Sequence, residues 1–139
     1  MQSSTQSAPV SRTSLWTGRV ISALVVAFLV FDGITKIVKE RHVLEAFARL
    51  GYPASLATVI GTILIVCVAV YVVPQTSILG AILLTGYLGG ATEVNVRAGN
   101  PLFETLFPII FGMLVWGGLY LRDPQLRMFI PLRGRRATS

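Results

Sequence analysis

Six polar side chains interrupt or border the apolar runs of this sequence, and they are the residues best suited to chemistry. They are Asp32, Lys36, Glu93, Asn95, Arg97 and Glu104. Asp32 and Lys36 are four residues apart, as are Glu93 and Arg97, so on a helix each acid shares a face with a base. A charge at membrane depth costs roughly 2.5–3.5 kcal/mol on insertion scales, so these groups form a functional-site hypothesis.

Two interpretations of the six side chains follow from their chemistry. The three carboxylates can face a ligand, with the two basic groups setting their charge, and unequal surroundings would then separate an acid from a base. Alternatively, the charges form a structural ion network, because buried charges require partners. The sequence leaves both interpretations open.

Composition indicates that these groups sit in a membrane protein. The chain has 139 residues, of which 53% are hydrophobic and only 13% charged, whereas soluble domains are about 25% charged. Its mean hydropathy is +0.71. Because a span needs about 20 apolar residues, four crossings with short connections occupy nearly the whole length. We therefore expect an all-α, integral membrane bundle of four transmembrane helices.

The apolar runs locate the helices. We predict spans at about 16–38, 54–73, 77–96 and 102–121. Between the first two, Val43, Leu44, Phe47 and Leu50 recur at helical spacing, which predicts a short amphipathic helix in the interface within 39–52. The transmembrane domain then covers residues 15–122. Residues 1–14 are predicted to be a disordered tail, and residues 123–139 a basic tail lying against anionic headgroups.

The order of the spans predicts where the six polar groups meet. Four crossings place both termini on one side, which carries seven basic residues against five on the other, and this favours cytoplasmic termini. At about 1.5 Å per residue, Asp32 and Glu93 lie in the half of the bundle opposite the termini, where Glu104 also enters. We expect the polar groups to gather there, with no comparable group in the other half.

Several other features favour simple roles. The net charge of +6 is spread over helix ends, which favours lipid headgroups and topology over nucleic acid. Cys67 is the single cysteine, so a disulfide within the chain is excluded. His42 has no second ligand at metal spacing, so we predict no metal site. Gly86 and Gly90, four residues apart, predict close helix packing.

Three segments carry a resemblance to a known family. The first span ends in Gly33-Ile34-Thr35-Lys36, the interfacial segment reads EAFARLGYP over residues 45–53, and the third span passes through Gly90-Ala91-Thr92 to VRAGNP at residues 96–101. Together they resemble the DoxX-like family of small four-helix bacterial membrane proteins, over residues 20–122. Relatives often have a histidine near the end of the third span, where this chain has Asn95, and an amide does not titrate.

The resemblance implies a redox setting but no defined reaction. The family takes its name from a subunit of a membrane complex that passes electrons from thiosulfate to quinone, and other members are linked to redox-stress assemblies. No haem, flavin, iron–sulfur or nucleotide motif is present, and no covalent cofactor is expected, so electron transfer would need a bound quinone or a partner's cofactor.

We therefore predict an accessory or structural subunit of the bacterial inner membrane, in contact with membrane lipids and with other membrane subunits or further copies of itself. It is not expected to be an enzyme on its own. The alternative is a bundle that binds or transforms a quinone or lipid through its intramembrane carboxylates.

Overall fold

The computed structural model describes residues 11–129, and all structural statements concern that range. The predicted all-α fold is confirmed. The elements are α1 (Arg12–Ile37), α2 (Arg41–Arg49), α3 (Ser55–Val72), α4 (Ser77–Ala98), α5 (Leu102–Arg122) and α6 (Pro124–Phe129), with a 3₁₀ turn at Pro74–Thr76 before α4. Four of these helices, namely α1, α3, α4 and α5, are long and apolar enough to cross a membrane.

The four long helices form a ring of neighbours. Helix α1 packs against α3 and α5, and α4 packs against the same two helices from the opposite side. The core between them includes Val25, Leu64, Leu84, Val115 and Leu119, all of which are buried. Outward-facing side chains are apolar as well: Leu24 and Phe31 are each 67% exposed. An apolar exterior of this kind suits lipid as the solvent.

Glycines set how closely the helices cross. A Cβ atom at Gly18 of α1 would lie 2.7 Å from the carbonyl oxygen of Gly118 in α5. A Cβ atom at Gly61 of α3 would lie 2.7 Å from the carbonyl oxygen of Gly33 in α1. Helix α1 therefore meets α5 closely at the end that carries the termini and meets α3 closely at the opposite end.

The α3–α4 connection is the tightest of these approaches. A Cβ atom at Gly80 would lie 2.3 Å from the backbone nitrogen and Cα of Tyr71. Side chains of the turn reinforce this contact, because Ser77 Oγ donates to the Tyr71 carbonyl at 2.8 Å and Thr76 Oγ1 donates to the Val70 carbonyl at 2.8 Å. These bonds satisfy carbonyls that the end of α3 would otherwise leave unpaired.

The prediction of packing at Gly86 and Gly90 was wrong for contacts within the chain. A Cβ atom at either position would find nothing within 4 Å. Both glycines lie on the outer face of α4 because the buried face of that helix runs through Ala81, Leu84 and Leu88 instead. The regular spacing of small residues was visible in the sequence, but the rotation of the helix was not.

Two helix boundaries differ from the predicted ones for local reasons. Helix α1 begins at Arg12, four residues earlier than expected, because the Ser11 side chain caps it by accepting a hydrogen bond from the Ser14 amide at 3.1 Å. After α5, Asp123 interrupts the helix and α6 follows, with Leu126 buried against the core. Residues 1–10 and 130–139 of the two predicted tails lie outside the described range.

Candidate functional site

Asp32 and Lys36 form an ion pair across one turn of α1. The Lys36 side chain is only 14% exposed and that of Asp32 is 34% exposed. The burial of Lys36 comes from Gly61 of α3, where an added Cβ would lie 2.8 Å from the Lys36 Cβ. The pair therefore sits at the α1–α3 crossing, where it is shielded more than a charge at a free helix end.

Tyr87 of α4 is a polar side chain within a span that the sequence analysis did not single out. It is half-buried and packs against the core of the bundle. The only signal in the sequence was a hydroxyl within an apolar stretch, which does not say which neighbouring helix the side chain faces.

Glu93 and Arg97 form the second predicted pair, but at the surface. The Glu93 Oε1 and Arg97 Nε atoms are 3.7 Å apart, and the two side chains are 58% and 75% exposed. An exposed pair of this kind contributes about 0–1 kcal/mol in water. Its four-residue spacing matches that of Asp32 and Lys36, but its side chains are far more exposed and its nitrogen–oxygen distance is beyond hydrogen-bond range.

Asn95 joins the end of α4 to the start of α5. Its Nδ2 donates to the Ala91 carbonyl and to the Glu104 carbonyl, both at 3.1 Å, while its Oδ1 accepts from Asn100 Nδ2 at 2.7 Å. Gly99 between them takes a left-handed conformation with φ of 69°, which ends the helix at little steric cost. An amide is suited to this role because it donates and accepts at once.

The structure thus connects the six predicted residues in three separate units. Asp32 bonds Lys36, Glu93 pairs with Arg97, and Asn95 holds the backbone of Glu104, whose own side chain is exposed in the first turn of α5. Within residues 11–129, no hydrogen bond or ion pair links one unit to another. The shared ligand-binding role of the six stays a prediction, and the partly buried Asp32–Lys36 pair is its most constrained part.

A second polar network lies in the half of the bundle that carries the termini. The Tyr71 hydroxyl donates to the Val115 carbonyl at 2.8 Å and lies 3.2 Å from Ser22 Oγ. Arg122 Nε donates to the same Ser22 oxygen at 3.1 Å, and the guanidinium lies over the Tyr71 ring at 5.5 Å. The sequence predicted no comparable polar group in this half, and that prediction was wrong. The network was missed because Ser22, Tyr71 and Arg122 are far apart in sequence.

The sequence model described as the DoxX-like family matches residues 20–118, which is well over half of the chain and includes all six predicted residues. This chain belongs to the DoxX-like family. Comparison with curated proteins and with solved structures finds no match for this DoxX-like protein.

Helix α2 of the DoxX-like protein carries its one histidine outside the spans. His42 Nδ1 lies 2.9 Å from Glu40 Oε1, and the His42 amide donates to Glu40 Oε2 at 2.9 Å. The hydrogen bond that the His42 ring donates to the Glu40 carboxylate raises the pKa of His42 above its ordinary value of 6.5, and the same bond lowers the pKa of Glu40. Within residues 11–129, no group of three His, Cys, Asp or Glu side chains could hold a metal ion.

We expect this contact to be measurable as a titration. Because the folded state favours protonated His42, the stabilisation from this contact is fully present below about pH 6.5 as long as Glu40 stays ionised, and it is lost as the pH rises through the higher folded pKa of His42. The NMR shift of the single histidine should report a raised pKa that Glu40→Gln returns towards 6.5, while Glu45→Gln has a smaller effect. An unchanged titration in Glu40→Gln would contradict the contact.

Proposed function

We propose that this DoxX-like protein is an accessory subunit of a bacterial inner-membrane complex, and that it binds a transmembrane helix of a partner subunit through the outer face of α4 and α5. The observation that carries this proposal is an apolar groove of about 350 Å³ between these helices. We call it the α4–α5 groove; it is lined by Thr85, Leu88, Gly89, Thr92, Pro108, Ile109, Gly112, Met113 and Trp116.

The polar atoms of the α4–α5 groove are already engaged. Trp116 Nε1 donates to Thr85 Oγ1 at 2.7 Å, and that hydroxyl donates in turn to the Ala81 carbonyl at 2.7 Å. The Thr92 hydroxyl donates to the Leu88 carbonyl at 2.9 Å. An occupant therefore meets an apolar surface, which favours an apolar helix over a polar ligand.

Small residues in and beside the groove favour a helix as its occupant. Gly89 lines the groove, and Gly86 and Gly90 lie beside it with nothing within 4 Å of an added Cβ. Exposed small residues at this spacing let a second helix approach closely in lipid, where packing and not the hydrophobic effect drives association. A lipid chain would gain little from such a close approach to the backbone.

The setting follows from the family resemblance and the charge distribution. Membership of a quinone-linked redox complex is what the DoxX-like resemblance implies, with the electron-carrying groups held by the partner. Cytoplasmic termini follow from the seven basic residues on that side against five on the other. In this arrangement the chain anchors or positions a redox partner.

A second candidate function rests on the partly buried Asp32–Lys36 pair. A quinone carbonyl needs a hydrogen-bond donor, and the Lys36 ammonium supplies one, with Asp32 balancing the lysine charge. These residues fit a quinone headgroup better than the α4–α5 groove does, since the donors of the groove are engaged. A bound quinone would supply two-electron redox chemistry, and the role of this chain would be to hold it.

Photo-crosslinking in native membranes tests the accessory function. A photoreactive residue at Met113, which lines the α4–α5 groove and is 62% exposed, should form an adduct with one integral membrane protein. The same residue at Val66 of α3, which is 55% exposed, is the matched control and should capture lipid only. Gly89→Leu should abolish the Met113 adduct because it fills the groove, whereas Gly117→Leu, on open space in α5, should not.

Two outcomes would contradict the proposal. An adduct of twice the chain mass would show that the occupant is a second copy and not a partner subunit. Equal adducts at Met113 and Val66, or an adduct insensitive to Gly89→Leu, would show that the α4–α5 groove is ordinary lipid-facing surface.

A further inference from the structure

A second groove opens between α1 and α3, on the side of the bundle away from the α4–α5 groove. Its volume is about 260 Å³, many times the roughly 30 Å³ that a water molecule occupies. We call it the arginine groove; it is lined by Arg19, Ser22, Ala23, Val26, Tyr71, Val72 and Arg122. The groove exists at this end because α1 meets α3 closely only at the other end, through Gly33 and Gly61.

Arg122 is held in place but keeps most of its donors. Its Nε bonds Ser22 and its guanidinium lies over the ring of the fully buried Tyr71, which fixes the side chain in the groove. Among the described residues, no oxygen accepts from its two Nη groups. Arg127 differs from Arg122, because its nitrogens donate to the Tyr120 and Leu121 carbonyls and to Ser14 Oγ. These bonds link α1 to the end of α5.

No carboxylate neutralises the arginine groove. The six acidic residues of the sequence all fall within the described range, and only Asp123 lies at this end of the bundle. Asp123 Oδ1 accepts from the Gln125 amide, and no described carboxylate lies within 4 Å of the nitrogens of Arg19 or Arg122. The guanidinium groups of Arg19 and Arg122 therefore give the groove a positive charge that no carboxylate of the described residues balances, which favours binding of an anion from outside the chain. Guanidinium matches the geometry of phosphate oxygens well.

The shape of the arginine groove adds an apolar requirement. Along α1 the lining changes from Arg19 and Ser22 at the membrane edge to Ala23 and Val26 further in. From Arg19 to Val26 the lining extends about 10 Å along the helix axis, at 1.5 Å per residue. A ligand that fits has an anionic head and an apolar chain directed towards the bilayer centre.

We propose that the arginine groove is a discrete binding site for one anionic phospholipid, with the phosphate between Arg19 and Arg122 and the first part of an acyl chain along Ala23, Val26 and Val72. The site is separate from the α4–α5 groove, so a result that contradicts the accessory function would not contradict lipid binding here, and the reverse also holds. A bound lipid would fill the gap between α1 and α3 and tie both helices to the end of α5.

Native mass spectrometry of the purified full chain tests the site with defined probes. Dioleoylphosphatidylglycerol should bind one molecule per chain, about tenfold more tightly than dioleoylphosphatidylcholine. Arg122→Gln and Arg19→Gln should each weaken the phosphatidylglycerol adduct about tenfold, because each removes charge-assisted bonds to phosphate. Arg12→Gln, at an exposed position on α1 outside the groove, should stay within about twofold.

A second pair of variants tests the acyl-chain contact without changing charge. Ala23→Leu narrows the groove and should weaken lipid binding, while Ala69→Leu, at an exposed position on α3 outside it, should not. Circular dichroism checks folding, and Arg19→Gln and Ala23→Leu keep the test valid if Arg122→Gln misfolds.

Three results would overturn the proposal. The first is a phosphatidylglycerol adduct that is equally weakened by Arg12→Gln, which would indicate general surface charge. The second is displacement of the lipid by glycerol 3-phosphate at similar concentration, which would indicate a site for a free phosphate. The third is equal lipid binding by the Ala23→Leu and Ala69→Leu variants.

Discussion

Gly80→Ala is expected to lower the free energy of unfolding by about 3 kcal/mol or more, the upper range for overpacked sites. The added Cβ would lie 2.3 Å from two backbone atoms of Tyr71, and backbone cannot turn aside as a side chain can. The α3–α4 hairpin would have to separate, which would disturb the hydrogen bond from Ser77 Oγ to the Tyr71 carbonyl. Tyr71 would carry the disturbance to Ser22 and Arg122 in the other helices.

Gly86→Ala is the matched control for this prediction. It makes the same substitution in the same helix, two turns later, where an added Cβ meets nothing within 4 Å. Its stability should be unchanged or slightly higher, because alanine favours helix. Reversible unfolding in mixed micelles, followed by circular dichroism, measures both variants, and equal stabilities would show that α3 and α4 do not approach as closely as described.

Asp32→Asn is expected to cost about 2–3 kcal/mol of stability, somewhat below the 3–5 kcal/mol measured when a fully buried ion pair loses one partner. The loss arises because the Lys36 side chain, which is only 14% exposed, would lose its carboxylate partner. Glu93→Gln removes the acid of an identically spaced pair whose side chains are 58% and 75% exposed. That control should cost under about 1 kcal/mol.

The double variant Asp32→Leu with Lys36→Met separates the two interpretations of the pair. Replacing both partners by apolar residues should recover most of the stability lost in Asp32→Asn, as found for other buried pairs. If the pair also binds a quinone headgroup, the double variant should be stable yet lose any co-purifying quinone, whereas Glu93→Gln should retain it. A stable double variant with unchanged quinone content would assign Asp32 and Lys36 to a structural ion pair alone.

Local signals in the sequence were sufficient for the helices themselves. The apolar runs located four spans, and the pattern of Val43, Leu44, Phe47 and Leu50 located a short helix between the first two, found at Arg41–Arg49. The four-residue spacing of Asp32 with Lys36, and of Glu93 with Arg97, predicted which acid would meet which base. These predictions succeed because hydropathy, length and i,i+4 spacing act within a single helix.

Contacts between helices could not be read in the same way. The Asp32 and Glu93 pairs are equivalent by spacing, and only the approach of Gly61 to α1 leaves the first pair partly buried while the second is exposed. The spacing of Gly86 and Gly90 predicted packing at those two positions, whereas the closest approach between helices is at Gly80, which the sequence analysis did not single out.

The sequence by itself determined that this chain is a small all-α membrane protein of the DoxX-like family, with charges near defined helix ends. The tertiary structure alone decided that Ser22, Tyr71 and Arg122 form one network, and that two grooves open on different sides of the bundle. The physical reason is that these features depend on the rotation and crossing of helices. Both are set by the sum of many close-packed contacts between residues distant in the chain.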